Sequence, residues 1–170
     1  MTTLVLTVVG GDRAGLVSAV ADVVDAHGGN WETSELAELA GAFAGIIEVS
    51  VPAAHVERMR EALARIDGLI TIALPMPATT NVSHIVRRFS FHVLGNDRPG
   101  IVREITSTLS ARGVSIERMT TETRDAAMSG GRLFEATVSA AVPASVDVDD
   151  LAADLERLAA EIQVDVTLTD

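Results

Sequence analysis

Gly10-Gly11-Asp12-Arg13-Ala14-Gly15-Leu16-Val17 returns further along the chain as Gly95-Asn96-Asp97-Arg98-Pro99-Gly100-Ile101-Val102. Asp12 lies over Asp97, an offset of 85 that holds downstream, where Ala26-His27-Gly28-Gly29-Asn30-Trp31-Glu32 lies over Ala111-Arg112-Gly113-Val114-Ser115-Ile116-Glu117. Over positions 10–32 there are eight identities in 23 without a gap. Several of the other pairs exchange one of Val, Leu and Ile for another. A repeat of this length marks a duplicated structural module, so the fold must be read as two copies of one unit.

The elements around the repeat have the same order in each half. Leu4, Leu6 and Val8 alternate as a first strand, as do Phe89, Phe91 and Val93. A helix follows in each, with apolar residues three and four apart: Leu16, Val20, Val23, Val24 and His27, then Ile101, Ile105 and Leu109. Gly28 and Gly113 stop these helices, because glycine enters the left-handed region without a Cβ penalty. Two strands come next, over 30–40 and 43–51 with a turn near Gly41, and over 114–124 and 132–141 with a longer turn from Asp125 to Gly131. Second helices carry single apolar stripes, Val56, Met59, Leu63 and Ile66 in one copy and Leu151, Leu155, Leu158 and Ile162 in the other. Ile70-Ile72-Leu74 and Val164-Val166-Leu168 close the copies as last strands.

The order is βαββαβ, twice. Its common solution is an α+β, ferredoxin-like sandwich, with antiparallel four-stranded sheets and both helices on one face. The domains expected are 1–75 and 88–170, joined by a linker over 76–87 that is rich in Pro, Thr and Asn. This leaves an uncovered face on each sheet. The first strand, Leu4 to Val9, is apolar on nearly both sides, as strands beside a second sheet are. The copies are therefore expected to pack together, or the protein to form a homodimer, or both.

Composition excludes several functions. Net charge is −11, from 13 basic and 24 acidic residues. The basic residues are all arginine, scattered singly or as the pair Arg87-Arg88. A chain of this charge repels a phosphate backbone, so no direct nucleic-acid binding is expected. Four Phe, one Trp and no Tyr leave little for a stacking site, and the absence of cysteine rules out thiolate metal ligation and disulfides. The start lacks the pattern of a signal peptide, and no apolar run approaches a membrane span, so a cytoplasmic protein with no membrane contact is expected. His27, His55, His84 and His92 lack metal-type spacing, although His92 is a candidate for the open side of its sheet. Neither a nucleophile elbow nor a phosphate loop is present. No catalytic set, metal or cofactor is implied.

The strand, the Gly-x-Asp-Arg-(Pro)-Gly-(Ile/Leu)-Val loop, the helix and the turn into Asn30-Trp31-Glu32 or Ser115-Ile116-Glu117 resemble the ACT domain. The tandem arrangement looks most like the glycine cleavage system transcriptional repressor group, which consists of two such domains. Asp97-Arg98-Pro99-Gly100-Ile101-Val102 is the strongest match; the first copy departs from it with Ala14 in place of the proline. The resemblance implies a small amino-acid ligand, glycine or serine, held between domains by the loop after the first strand.

The residues implicated are Gly11, Asp12, Gly15, Leu16 and Asn30 in one copy and Asn96, Asp97, Gly100, Ile101 and Ser115 in the other. The chemistry fits a zwitterion. Unpaired N–H groups at a helix start suit a carboxylate, and Asp12 or Asp97 suits an ammonium, with Asn30 or Ser115 as a further polar contact. A structural reading stands beside this one. The aspartates are also good helix caps, Gly15 and Gly100 also permit tight helix–strand packing, and Pro99 suits a first helical turn. Two functions compete: a non-enzymatic regulator that modulates a partner such as a transcription factor, and a ligand-independent adaptor.

Overall fold

The computed structural model describes residues 1–75, 86–126 and 131–169. The chain divides into two compact units, Met1–Asn81 and Val82–Asp170. Unit 1 runs β1 (Thr2–Gly11), α1 (Leu16–Ala26), β2 (Asn30–Leu39), β3 (Ala42–Val51), α2 (Val56–Leu63) and β4 (Leu69–Pro75). Unit 2 repeats the order as β5 (Val86–Asn96), α3 (Ile101–Ala111), β6 (Ser115–Asp125), β7 (Arg132–Pro143), α4 (Val148–Ile162) and β8 (Val164–Thr169). The sheets are antiparallel, ordered β2-β3-β1-β4 and β6-β7-β5-β8. This is the tandem ferredoxin-like architecture that the sequence predicts. Of the expected linker, 76–85 falls outside the described residues, as do 127–130 of the long turn; β5 already begins at Val86.

One core forms on the helix side of each sheet. In unit 1, Leu4, Leu6 and Val8 of β1 and Ile47, Val49 and Val51 of β3 pack with Leu16, Val20 and Val24 of α1 and Met59 and Leu63 of α2. In unit 2, Phe89, Phe91 and Val93 meet Ile101, Ile105 and Leu109 of α3 and Leu151 and Leu155 of α4. The helical stripes thus turn inward as their spacing requires. Both first helices end on a left-handed glycine with paired closing bonds. Gly28 N–H donates to Asp25 O and Gly29 N–H to Val24 O, and the same pattern recurs at Gly113 and Val114.

The closing strands are where the two halves part. Leu69 pairs with Gly10, and Val164 with the equivalent Gly95. Ile70 and Ile72 are therefore the counterparts of Asp165 and Thr167, not of Val164 and Val166. The two alternations read as matching in the sequence have opposite phase. In β8 the apolar set includes Val164, buried in the core. In β4 the core takes Leu69 and Ala73, while Ile70, Ile72 and Leu74 stand on the open face, each more than half exposed. A one-residue shift in register moves every side chain of a strand to the other face, and the periodicity of Leu69-Ile70-Thr71-Ile72-Ala73-Leu74 does not choose between the two.

Gly10 pins that register. A Cβ built on it would lie 2.3 Å from the carbonyl oxygen of Gly68, at the entry to β4. Gly10→Ala is expected to cost about 1–3 kcal/mol through this clash. Gly11→Ala, where a Cβ meets nothing within 4 Å, should stay within about 0.5 kcal/mol of wild type in urea unfolding. Thr71 faces the helix side with its Oγ1 buried and without a hydrogen-bond partner. Val166 fills the corresponding position in unit 2. Thr71→Val should therefore stabilise the protein by about 1 kcal/mol, read as a higher denaturation midpoint with an unchanged slope.

Candidate functional site

The loop between β1 and α1 leaves the sheet at Gly11, which pairs with Ala42, and the Asp12 N–H then donates to Gly41 O at 2.8 Å. Gly15 follows at φ 88°, ψ 0°, and α1 starts at Leu16. In unit 2, Asn96 pairs with Leu133, the Asp97 N–H donates to Arg132 O at 2.8 Å, and Gly100 sits at φ 96°, ψ −7°. A glycine with these angles just before the helix is the third residue of a type II turn. Pro99, directly before it, occupies the second position, which proline favours. Pro99 therefore presets the turn rather than opening the helix, and Ala14 fills the same place in unit 1 without changing the geometry of its glycine.

This geometry revises the structural reading of the loop. Gly15 and Gly100 are the residues at the helix caps, and among the described residues no side chain accepts from the first N–H groups of either helix. Asp12 and Asp97 do not cap. Both are exposed, and among the described residues their carboxylates have no hydrogen-bond or ion-pair partner. Tight packing is not what requires Gly15 either, because a Cβ there would meet nothing within 4 Å. The positive φ requires it. Leu16 and Ile101 are each only 2% exposed, so their side chains belong to the core and only their N–H groups face the loop.

Asn30 and Ser115 lie elsewhere. Asn30 pairs with Ser50 while Gly11 pairs with Ala42, eight residues away along β3. The start of β2 and the β1–α1 loop are thus at opposite ends of the sheet, about 27 Å apart. Ser115, paired with Ala141 while Asn96 pairs with Leu133, stands in the same relation to Asp97. Neither unit brings its own five predicted residues together; a ligand touching both groups needs them from two different domains. At its own end Asn30 hydrogen-bonds Glu32, the bulged residue of β2. Ser50 Oγ donates to the same carboxylate at 2.6 Å, and Ser50 and then Asn30 hold its pKa below the usual range.

The two loops also differ in charge, in a way the motif does not show. Arg98 binds Glu104 in the first turn of α3, with Nη2 2.5 Å from Oε2. The pair raises the arginine pKa and lowers that of the carboxyl. Glu104 comes close enough to Gly100 that a Cβ there would lie 3.6 Å from its Oε1. A carboxylate of unit 2 thus already stands at its own helix start. In unit 1 the equivalent residue is Ala19, the first turn of α1 holds no acid, and Arg13 is turned away to donate to Asp67 O at 2.7 Å. The sequence signal was the exchange Ala19/Glu104 at the constant offset.

Among the described depressions, one of about 400 Å³ lies on the open face of the unit 1 sheet, lined by residues that include Thr7, Val9, Ala37 and Ile46, and not at the loop. On the corresponding face of unit 2, His92 Nε2 lies 2.9 Å from Glu135 Oε1, and Arg124 contacts the other oxygen at 3.2 Å. His92 first and then Arg124 hold the Glu135 carboxyl below its usual pKa. Among the described residues no helix is long and apolar enough to cross a membrane.

A duplicated βαββαβ unit with this loop defines a class of small α+β domains, and family models place it. Residues 2–67 and 89–163 each match the ACT domain. The chain belongs to the ACT domain family, as a tandem of two such domains. No curated protein matches it. Two solved structures are similar over nearly their whole length. An unknown protein from Galdieria sulphuraria is 28% identical with a TM-score of 0.88, covering 98% of this chain and 96% of that one. A protein described as a candidate glycine cleavage system transcriptional repressor is 22% identical with a TM-score of 0.71, covering 99% and 96%.

If the aspartates do not cap and the glycine sets the turn, the variants should separate. Asp12→Ala is expected to leave stability within about 0.5 kcal/mol. Gly15→Ala, which forces a side chain into positive φ, should cost about 1–2 kcal/mol by the same urea assay.

Proposed function

We propose that this chain is a non-enzymatic regulatory protein that binds a small amino acid, of the glycine or serine class, and passes its occupancy to a partner protein. The observation that carries the reading is the pair of exposed aspartates beside helix starts that no side chain caps. An amino acid has complementary needs: N–H donors and a positive dipole end for its carboxylate, and a carboxylate for its ammonium. Ligand contact with Asn30 or Ser115 would come from a second domain, so binding is coupled to how domains meet, either within the chain or in a homodimer. The negative charge and the lack of exposed aromatic strands argue for action on transcription through a partner such as a transcription factor, with no direct contact to nucleic acid. The domain boundaries we adopt are 1–75 and, from the start of β5, 86–170, and the setting is the cytoplasm.

Within this reading unit 1 is the stronger site. Its first helical turn carries no acid, whereas in unit 2 the Glu104 carboxylate stands beside Gly100, where it would repel a bound carboxylate. The adaptor alternative draws support from Asn30, whose side chain already serves Glu32, but the Asp12 and Asp97 carboxylates have no comparable structural employment.

A thermal-shift panel of the twenty amino acids tests the proposal. One or a few should stabilise the protein, by about 2.7 kcal/mol at a hundredfold excess over the dissociation constant. Asp12→Ala should remove the shift with the ligand-free melting curve unchanged, and Asp97→Ala should retain it. A flat panel would leave the adaptor.

A further inference from the structure

The open face of unit 1 is more apolar than its fold requires. Val9, Ile46, Ile70, Ile72 and Leu74 stand on it with 42% to 66% of their surface exposed. The register lays them side by side across the sheet, Ile72 beside Thr7 beside Ile46, and Ile70 beside Val9. Unit 2 is a built-in control, since it has the same topology. There the positions of Ile70, Ile72 and Ile46 hold Asp165, Thr167 and Thr137, and that of Thr7 holds His92. An ACT domain of this chain therefore folds with a polar open face, and the apolar one answers to something outside the unit's own core.

We propose that this face is an interface between two copies of the chain, formed by unit 1 packing sheet to sheet against unit 1 of a second molecule about a two-fold axis. The inference does not depend on the ligand. Flat faces rich in β-branched residues pack on one another at about 10 Å, and a two-fold arrangement gives each face an equally flat and apolar partner. The area sets the strength. Four strands about 4.8 Å apart, with about seven residues each at about 3.4 Å, make a footprint of about 450 Å². Two such faces bury about 900 Å², the size of a weak, reversible association and short of an obligate dimer.

Charge argues against other occupants. The charged residues on the face, Glu32, Glu35 and Glu48, are all acidic, and none of the four strands contains Lys, Arg or His. Nucleic acid and anionic lipid are repelled, whereas two copies need only hold these few carboxylates apart. The dimer should therefore tighten as salt rises, because screening weakens that repulsion. A basic partner would behave in the opposite way.

Sedimentation velocity of the full chain, from about 1 to about 500 µM, should show a monomer–dimer equilibrium with a dissociation constant inside that range. The constant should fall between about 50 and 500 mM salt. The double variant Ile46→Glu/Ile72→Glu should weaken association by about tenfold or more, and Thr137→Glu/Thr167→Glu on the matching face of unit 2 should leave it unchanged. Because the chain lacks cysteine, a nitroxide on Ile46→Cys gives a second readout that does not depend on the charged variant folding. It should report a distance between molecules that disappears on dilution with unlabelled chain. A monomer throughout the range, as when the face is covered from within the same chain, would overturn the proposal. So would a dimer insensitive to Ile46→Glu/Ile72→Glu, equal loss in the unit 2 control, or a label with no neighbour.

Discussion

The register of the closing strand governs more of this protein than any single contact. β4 enters the sheet where the Gly68 carbonyl crosses Gly10, at a separation that no side chain on residue 10 would tolerate. From that point Leu69 and Ala73 must face the helices, and Ile70, Ile72 and Leu74 must face away. Gly95 and Val164 make the matching crossing in unit 2, where the same phase sends Val164 inward and Asp165 outward. Strand phase is binary, so this contact sorts the apolar residues of the last strand between core and surface.

Much of this was legible in the sequence, for reasons that can be named. The repeat exposed the duplication because its residues are under strong local constraint: a positive-φ glycine in a turn, a glycine ending a helix, and an apolar stripe with one inward face. The helices were readable since Leu16, Val20 and Val24, or Ile101, Ile105 and Leu109, leave a single choice of face. The last strand was not, because Leu69, Ala73 and the three residues Ile70, Ile72 and Leu74 make both phases of β4 apolar. Neither did the motif reveal that Asn30 and Asp12 lie at opposite ends of a sheet. Nearness in a motif is nearness along the chain, and α1 runs the length of the unit between them.

The loop shows how a shared backbone can carry different electrostatics. Both copies make the same type II turn and leave the same helix start uncapped. Ala14 serves where Pro99 does, because the turn demands its geometry chiefly of the following glycine. The divergence lies one helical turn away, at Ala19 and Glu104. An acid there, held by Arg98, places negative charge beside Gly100 without accepting from the N–H groups of its helix. The aspartates are equivalent in the sequence and exposed in both units, so the contrast between the loops rests on this neighbour rather than on the motif itself.

Loop and sheet face diverge in the same direction. Unit 1 has the uncompensated helix start and the apolar open face. Unit 2 has Glu104 beside its helix start and an open face on which His92 and Arg124 both contact Glu135. Neither difference touches the residues that make the core, so both could accumulate after duplication without cost to folding. The helix side of each sheet is under packing constraint and has stayed alike. The loop neighbour and the open face are free of that constraint, and there the two copies have become chemically distinct. A duplicated domain that keeps its scaffold while the surroundings of its loop and its open face diverge presents different surfaces in each copy, and both the acid-free first helical turn and the apolar open face fall in unit 1.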